Sequence, residues 1–302
     1  MEGIIQDKLR RLFNDDSIVF DKSRFIGGMT NYNYVMDIKG TEYVIRKPGG
    51  MTDKMIDRKI EKVNNSIASE VGINSQCIYF DDDTGIKISI YLKNSKNIAV
   101  ANPNSPKSIA SVSETMKKMH QSPKKFPNKF DVKSELHKYE QIVEQINGAL
   151  FFDYHILKEK LFAFMDENIK NTISVPCHND TVPENFVIAQ KGQTYLIDWE
   201  YAGMNDPSWD VASYIIESKL SQQSIEQLVS DYYGGLFNEE EELKIKCYML
   251  AQDLLWTVWA LIRHYHGDDF LDYCNNRYER FRKNIDLLTS STNYPIEEMV
   301  HV

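Results

Sequence analysis

The sequence predicts an α+β fold of two unequal lobes, a small β-rich lobe over residues 1–92 and a larger, mostly helical lobe over residues 93–302. Three observations carry that expectation. Up to Leu92 the apolar residues tend to alternate between Gly-containing turns, the pattern of half-buried strands. From Lys107 onward they recur every three or four residues, the spacing of helices packed on one face. Among those helices lies one polar, strand-like stretch, Val175-Pro-Cys-His178-Asn-Asp180-Thr-Val-Pro-Glu-Asn185-Phe-Val-Ile188, closed by Tyr195-Leu-Ile-Asp198-Trp-Glu200.

Composition narrows the function classes. The 302 residues, 42% hydrophobic and 26% charged, suit a globular chain with a substantial core. Lys+Arg 35 against Asp+Glu 44 leaves a net charge of -9, which argues against a nucleic-acid partner. Cys77, Cys177, Cys247 and Cys274 are scattered, with no C-x-x-C pair and no His at metal-ligand spacing, as expected of free thiols in a reducing cytosol. The N-terminal residues are apolar at helical intervals but form no long apolar core. Neither a signal peptide nor a membrane anchor is expected, and the predicted location is cytoplasmic.

In chain order, Ile4, Ile5, Leu9 and Phe13 share one face of an opening helix. A strand from Ile18-Val-Phe toward Phe25 leads into the loop Gly27-Gly28-Met29-Thr30-Asn31. The strands 32–38 and 41–46 then form a hairpin about Lys39-Gly40. A glycine loop between two strands can lay backbone N–H groups over phosphates, because glycine lets the main chain approach closely. Arg46 ends the second hairpin strand, and alternation sends the neighbouring Lys47 to the other face. After Pro48-Gly49-Gly50, Thr52 is expected to cap a helix with an apolar stripe of Ile56, Ile60, Val63 and Ile67, stopped by Gly72. Glu61 sits at the edge of that stripe and can pair with Arg46. Strands 77–80 and 86–92 complete an expected five-stranded sheet. The punctuated segment Lys93–Pro106 is a linker whose start would serve as a hinge beside a nucleotide base. Helices follow over about 107–120, 136–146 and 156–165, and after the polar stretch over about 207–220, 222–233, 239–264 and 268–288, ahead of a polar tail.

The polar stretch reads H-x-D-x-x-x-x-N followed, after a Lys191-Gly192-Gln193 turn, by an apolar strand ending in D-W-E. Phosphoryl transfer needs an acid to accept the attacking hydroxyl's proton and two oxygen ligands to hold Mg2+ against nucleotide phosphates. Asp180 suits the first role, Asn185 and Asp198 the second. His178 and Asp210 read as scaffold residues of the loop, and His120 as a helix-end hydrogen-bonding residue.

Together, G-G-M-T-N, V-I-R-K-P-G, C-H-N-D-T-V-P-E-N, I-D-W-E-Y-A-G-M-N-D-P-S-W-D-V-A and D-L-L-W-T-V-W-A-L resemble the choline/ethanolamine kinase family over nearly the whole chain. The resemblance extends to bacterial choline kinases of the LicA type, within the aminoglycoside-phosphotransferase superfamily. The resemblance implies a two-lobed protein-kinase-like fold that holds ATP and Mg2+ in its cleft and phosphorylates the hydroxyl of choline. Carried over by residue, it makes Asp180 the base, Asn185 and Asp198 the metal ligands, and Arg46 the phosphate-contacting basic residue, with Glu61 as its expected partner on the nucleotide side. Gly28, Met29, Thr30 and Asn31 become the nucleotide loop, and Glu200, Tyr201, Trp256 and Trp259 the substrate side. Choline's quaternary ammonium donates no hydrogen bond, so aromatic faces suit it, each worth about 2 kcal/mol or more when desolvated. Trp256 and Trp259, three apart on a helix, share a face. Ethanolamine or an aminoglycoside is the alternative substrate, and a catalytically dead nucleotide-binding module the alternative class.

Overall fold

The computed structural model describes residues 1–28, 30–190, 192–291 and 294–300, so Met29 of the glycine loop and Lys191 of the expected turn lie outside the described residues. Helix α1 (Glu2–Phe13) opens the chain, followed by strands β1 (Asn31–Ile38) and β2 (Thr41–Pro48). These form an antiparallel hairpin with Ile38 opposite Thr41. Lys39 and Gly40, with φ of 54° and 81°, supply the left-handed backbone such a two-residue turn needs. Short helix α2 (Thr52–Met55) and helix α3 (Arg58–Val71) precede strands β3 (Cys77–Phe80) and β4 (Lys87–Ile90). The small-lobe sheet has four strands in the order β1-β2-β4-β3.

Among the described residues no fifth strand joins this sheet. Residues 18–28 meet the free edge of β1 through the bridge Phe25–Tyr34 and the bonds Val35 N–H to Arg24 O, Ile26 N–H to Asn33 O and Asn33 N–H to Gly27 O. Gly27 and Gly28, with φ of 98° and 133°, turn the backbone away from strand geometry. At Gly28 a side chain is impossible, since a Cβ would lie 1.8 Å from Asn31 O.

Helix α1 buries Ile5 and Leu9 in a satellite core with Ile45, Ile86 and Ile88 of the small lobe. Ile4, expected on that face, is 46% exposed, because one residue along the helix rotates it about 100° off the stripe. Lys8 of α1 also pairs with Asp81, in the turn between β3 and β4. Burial alone would raise the Asp81 carboxyl. Lys8, the Thr84 hydroxyl and the N–H groups of Asp83 and Thr84 instead pull it down to about 2. Since the folded value lies below the unfolded one, the stabilisation is present above the ordinary carboxylate range and fades as pH falls toward 2. Asp81→Asn is therefore expected to cost about 1–2 kcal/mol at pH 7. In urea melts that deficit should shrink steadily between pH 4 and pH 2. A deficit independent of pH would place the effect elsewhere.

The single helix expected from Thr52 is broken. Ile56 is extended, and Asp57 caps α3 by accepting from the N–H groups of Lys59 and Ile60. The buried face of α3 is Arg58, Glu61, Asn64, Asn65 and Ala68, whereas Val63 is 45% exposed. Of the expected apolar stripe, Ile56 is buried and Ile67 packs against the core, but the most buried positions of α3 are mainly polar. The helix faces the junction of the lobes, where its polar groups find partners: Asn64 Nδ2 donates to Ala202 O at 2.7 Å.

Beyond β4 the connection carries strand β5 (Lys96–Asn97) and short helix α4 (Ile98–Ala101). Helices α5 (Pro106–His120), α6 (Val132–Gln145) and α7 (Tyr154–Asn168) lead to four short strands, β6 (Val175–Cys177), β7 (Phe186–Ile188), β8 (Thr194–Leu196) and β9 (Gly203–Asn205). These make two small antiparallel sheets, β5-β7-β8 and β6-β9, that frame the polar stretch. Helices α8 (Ser208–Glu217), α9 (Gln222–Tyr233), α10 (Glu239–Tyr265) and α11 (Leu271–Ser290) complete the lobe, and α12 (Ile296–Val300) follows. Helix α10 is long and apolar enough to cross a membrane, yet that apolar stretch is wholly buried among α6, α8 and α11. It is the core of the large lobe. The expected polar tail is not one: Ile296, Met299 and Val300 are buried, and Asn284 Nδ2 holds Met299 O at 3.0 Å.

Candidate active site

The loop between β6 and β7 is hung on one buried carboxylate. Asp210, in the first turn of α8 and 1% exposed, accepts from the N–H groups of His178 at 2.8 Å and Asn179 at 2.7 Å. Thr181 Oγ1 donates to Asp210 O at 2.6 Å, and Trp209 Nε1 to Asn179 O at 3.2 Å. His120, closing α5, donates through Nε2 to Asp210 at 3.0 Å while its Nδ1 takes the Tyr232 hydroxyl at 2.6 Å. His178, fully buried, donates through Nε2 to Ile197 O at 2.9 Å and accepts the Asp180 N–H at Nδ1. Burial holds that imidazole below its ordinary pKa, so it stays neutral. Both histidines and Asp210 are structural in these contacts. The loop is thereby fixed from beneath, which leaves the Asp180 side chain to face the cleft.

Asn185 Nδ2 donates to Asp180 O at 2.9 Å and to its carboxylate Oδ2 at 3.2 Å. With both contacts made by the amide nitrogen, the Asn185 Oδ1 remains for another partner. Burial first, then the charges of Asp198, Glu217 and Glu200, push the Asp180 carboxyl well above its ordinary range. Asp198 follows β8 with φ of 68°, a left-handed conformation rare outside glycine, Asn and Asp. Its carboxylate, 30% exposed, lies 3.5 Å from Arg46 Nη1.

Arg46 is 2% exposed and locked by four bonds: Nη1 and Nη2 to Glu61 at 2.5 and 3.1 Å, Nε and Nη2 to Gly85 O at 3.2 and 2.9 Å. The expected Arg46–Glu61 pair is present. Lys47 points to the other face, with its ammonium over the Tyr32 ring. Sequence reasoning missed Arg58. Its Nη1 bonds Glu61 at 2.6 Å and Glu200 at 3.1 Å, and Nη2 reaches Asn31 Oδ1 at 3.4 Å. Asn31 Nδ2 in turn bonds Glu200 at 3.0 Å. Glu200, expected beside the alcohol substrate, thus has its carboxylate engaged by the small lobe. Burial, then Asp198, raises it to about 7. Carboxylate oxygens of Glu61, Asp198 and Glu200 all lie within 4.8 Å of one another. Hard oxygen donors crowded in this way, with Asn185 Oδ1 to spare, fit a divalent cation of the Mg2+ type.

Aromatic rings form the other side. Tyr201 meets Trp256 edge-on at 5.0 Å, Trp256 meets Trp259 at 6.4 Å, and Trp259 meets Phe270 at 5.0 Å and Tyr273 at 6.2 Å. The Tyr201, Trp256 and Trp259 expected from sequence are therefore in one cluster, each less than a tenth exposed. Burial first, then neighbours that include Glu200, Asp180 and Asp198, raises the Tyr201 hydroxyl far above its usual pKa, so the cluster abuts the acidic site. Burial raises Tyr273 too, with Glu217 and Asp180 contributing against Arg277. Phe270, Tyr273 and Glu217 were not singled out from sequence. For Glu217 a signal existed, namely one acid at the end of the otherwise apolar run Val211–Ile216.

A cavity of about 490 Å3 opens beside the connection between the lobes, lined among others by Glu42, Tyr91, Leu92, Lys93 and Gln193. Arg46, Asp180, Asn185 and Asp198 do not line it, so it is separate from the acidic cleft.

A profile of choline/ethanolamine kinases matches residues 23–242. Protein LicA of Haemophilus influenzae is 32% identical over 260 residues, covering 83% of this chain and 96% of that one. Among solved structures, choline kinase LicA from Streptococcus pneumoniae superposes with a TM-score of 0.80 at 30% identity, covering 95% of this chain and 99% of that one. LicA in complex with AMP matches equally, TM-score 0.80 at 29% identity, over 95% and 98%.

Proposed function

The chain belongs to the choline/ethanolamine kinase family, and we propose that it transfers the γ-phosphoryl group of ATP to the hydroxyl of choline. The observation that carries this reading is one juxtaposition. Asp180, Asn185 and Asp198 meet under Arg46, and an aromatic wall of Tyr201, Trp256, Trp259 and Tyr273 lies beside them. The wall suits a quaternary ammonium, and Glu217, which already pairs with Arg277 and lies in electrostatic reach of Asp180 and Tyr273, would add a partly compensated negative charge beside it.

In this reading Asp180 orients the hydroxyl and takes its proton late, since a loose transition state asks for placement more than basicity. Asn185 and Asp198, with Glu200 and Glu61 close by, would hold Mg2+, which would supply positive charge to the phosphate oxygens and offset the crowded carboxylates. Arg46, immobilised by Glu61 and Gly85, presents its charge to the nucleotide phosphates. The backbone of Gly28, Thr30 and Asn31 would cover them. Arg58 keeps Glu61 and Glu200 from repelling one another before nucleotide enters. The small lobe, to Leu92, carries the nucleotide loop, and residues 93–302 carry the base and the cation wall. We place the protein in the cytoplasm, where ATP and Mg2+ are abundant, with no nucleic acid or membrane as partner.

A coupled assay over choline, ethanolamine and aminoglycosides, with ATP and Mg2+, tests the substrate. A kcat/KM for choline at least tenfold above the others is expected. Preference for ethanolamine or an aminoglycoside would overturn the choline assignment while keeping the chemistry.

Arg46→Lys keeps the charge but loses the planar fork that satisfies Glu61 and Gly85 together. The KM for ATP should rise about fivefold, a loss of roughly 1 kcal/mol of binding, while the KM for choline stays put. Unchanged ATP kinetics would make Arg46 a purely structural residue.

A further inference from the structure

The loop Pro48-Gly49-Gly50, where β2 ends, is wedged between the two halves of the site. On one side a Cβ at Gly49 would lie 2.1 Å from Thr30 O, at the end of the glycine loop. On the other, a Cβ at Gly50 would lie 2.6 Å from Nε2 of His266, just beyond α10. Gly50 O accepts a 2.6 Å hydrogen bond from Arg263 Nη1. Arg263 is 3% exposed, stands in the last turn of α10 one turn after Trp259, and pairs with Asp268 at 2.8 Å. Its guanidinium lies 6.0 Å from the Trp259 ring centre and 5.9 Å from that of Phe270. One buried cation therefore touches the aromatic wall with its face and the small lobe with its edge. None of the catalytic groups needs it.

We infer that Arg263 is a positioning residue that couples the cation site to the nucleotide site. A cation seated on the wall fixes Trp259 and Arg263. Arg263 then holds Gly50, and the tightly packed Gly49 holds the glycine loop at Thr30. Each ligand thereby favours the arrangement of the lobes that the other binds best, and linkage makes the effect equal in both directions. Asp268 pairs with the guanidinium, so a second cation on the wall meets a largely compensated charge. This inference rests on the reading of the aromatic wall as the choline site.

The test is a binding experiment without turnover. Calorimetric titration of the full chain with a non-hydrolysable ATP analogue and Mg2+ is run with and without saturating choline, and the reverse titration follows. Wild-type protein should bind the analogue about tenfold more tightly with choline present, and choline about tenfold more tightly with the analogue present. Arg263→Met keeps the length and apolar volume but loses the donor, and should reduce both factors to less than twofold. Each ligand alone should still bind within about threefold of wild type, because Arg263 stands behind the wall and bonds neither ligand in this reading. Arg263→Lys, the milder change should the Met variant melt below the assay temperature, should fall between the two. Absence of coupling in wild type, or coupling at the full wild-type factor in either variant, overturns the inference. Choline binding that is indifferent to Trp256→Leu and Trp259→Leu overturns the cation-site reading instead, so the two failures are told apart.

Discussion

Asp180→Asn is expected to lower kcat by about a thousandfold, the middle of the range for loss of a positioned general base. The substitution preserves size and leaves the backbone carbonyl that accepts from Asn185 Nδ2 in place, so the loop keeps its shape. Asp210 fixes that loop from the opposite side through the N–H groups of His178 and Asn179, which the substitution does not touch. Nucleotide affinity should stay within about twofold, since the effect falls on the reacting hydroxyl and not on ground-state binding. Stability should hold or rise. The Asp180 carboxyl is buried among Asp198, Glu217 and Glu200, an arrangement that disfavours its charge, and removing such a group from a functional site commonly stabilises a fold. Single-turnover kinetics, a nucleotide titration and a melting curve separate these effects. A kcat within tenfold of wild type would remove Asp180 from the base role. A lowered melting temperature with weakened nucleotide binding would show a loop-folding role in its place.

The polar loop that carries Asp180 and Asn185, with Asp198 after the next strands, was legible in the sequence as a local pattern at fixed spacings, and the roles of the three residues remain those proposed above. The same holds for the Lys39-Gly40 turn and the Gly72 helix stop, which are local backbone decisions. On the inward face of α3 only Glu61, expected to pair with Arg46, was legible. Burying Arg58 and Asn64 makes sense only once Glu200 and Ala202, each distant in the chain, are placed opposite them. Apolar periodicity assumes that charge faces water, and here tertiary pairing overrides that rule. The missing fifth strand has a different cause, since residues 18–28 carry strand-like side chains but two positive-φ glycines that bend the backbone off the sheet. Tyr273 and Phe270 sit at the start of α11 and just before it, among residues that read as ordinary amphipathic helix. Only their contacts with Trp259 mark them.

Replacing Trp259 or Trp256 by Leu should lower kcat/KM for choline about thirtyfold, the equivalent of losing one desolvated cation–π contact of about 2 kcal/mol. Both rings are buried to within a few per cent and belong to the core of the large lobe, so a packing cost is expected as well. Trimming a buried indole to an isobutyl group should cost about 2 kcal/mol and lower the melting temperature by several degrees. Loss of stability alone therefore cannot separate a recognition role from a packing role, and the discriminating quantity is the ratio of two substrates. Choline presents a charge wrapped in methyl groups, which aromatic faces hold and hydrogen-bond acceptors do not. Ethanolamine presents a compact ammonium whose N–H groups can use an acid such as Glu217 directly. Removing a ring should thus hurt choline more, and the choline to ethanolamine ratio of kcat/KM should fall by about tenfold if Glu217 keeps most of ethanolamine's binding. The effect should be larger for Trp256, which contacts Tyr201 next to the acidic cleft, than for Trp259, whose ring is also held by Phe270 and Tyr273. The KM for ATP, measured at saturating choline, should barely move, because that measurement starts with the cation site filled. An unchanged substrate ratio beside a lowered melting temperature would assign both tryptophans to the core and require the cation to bind elsewhere.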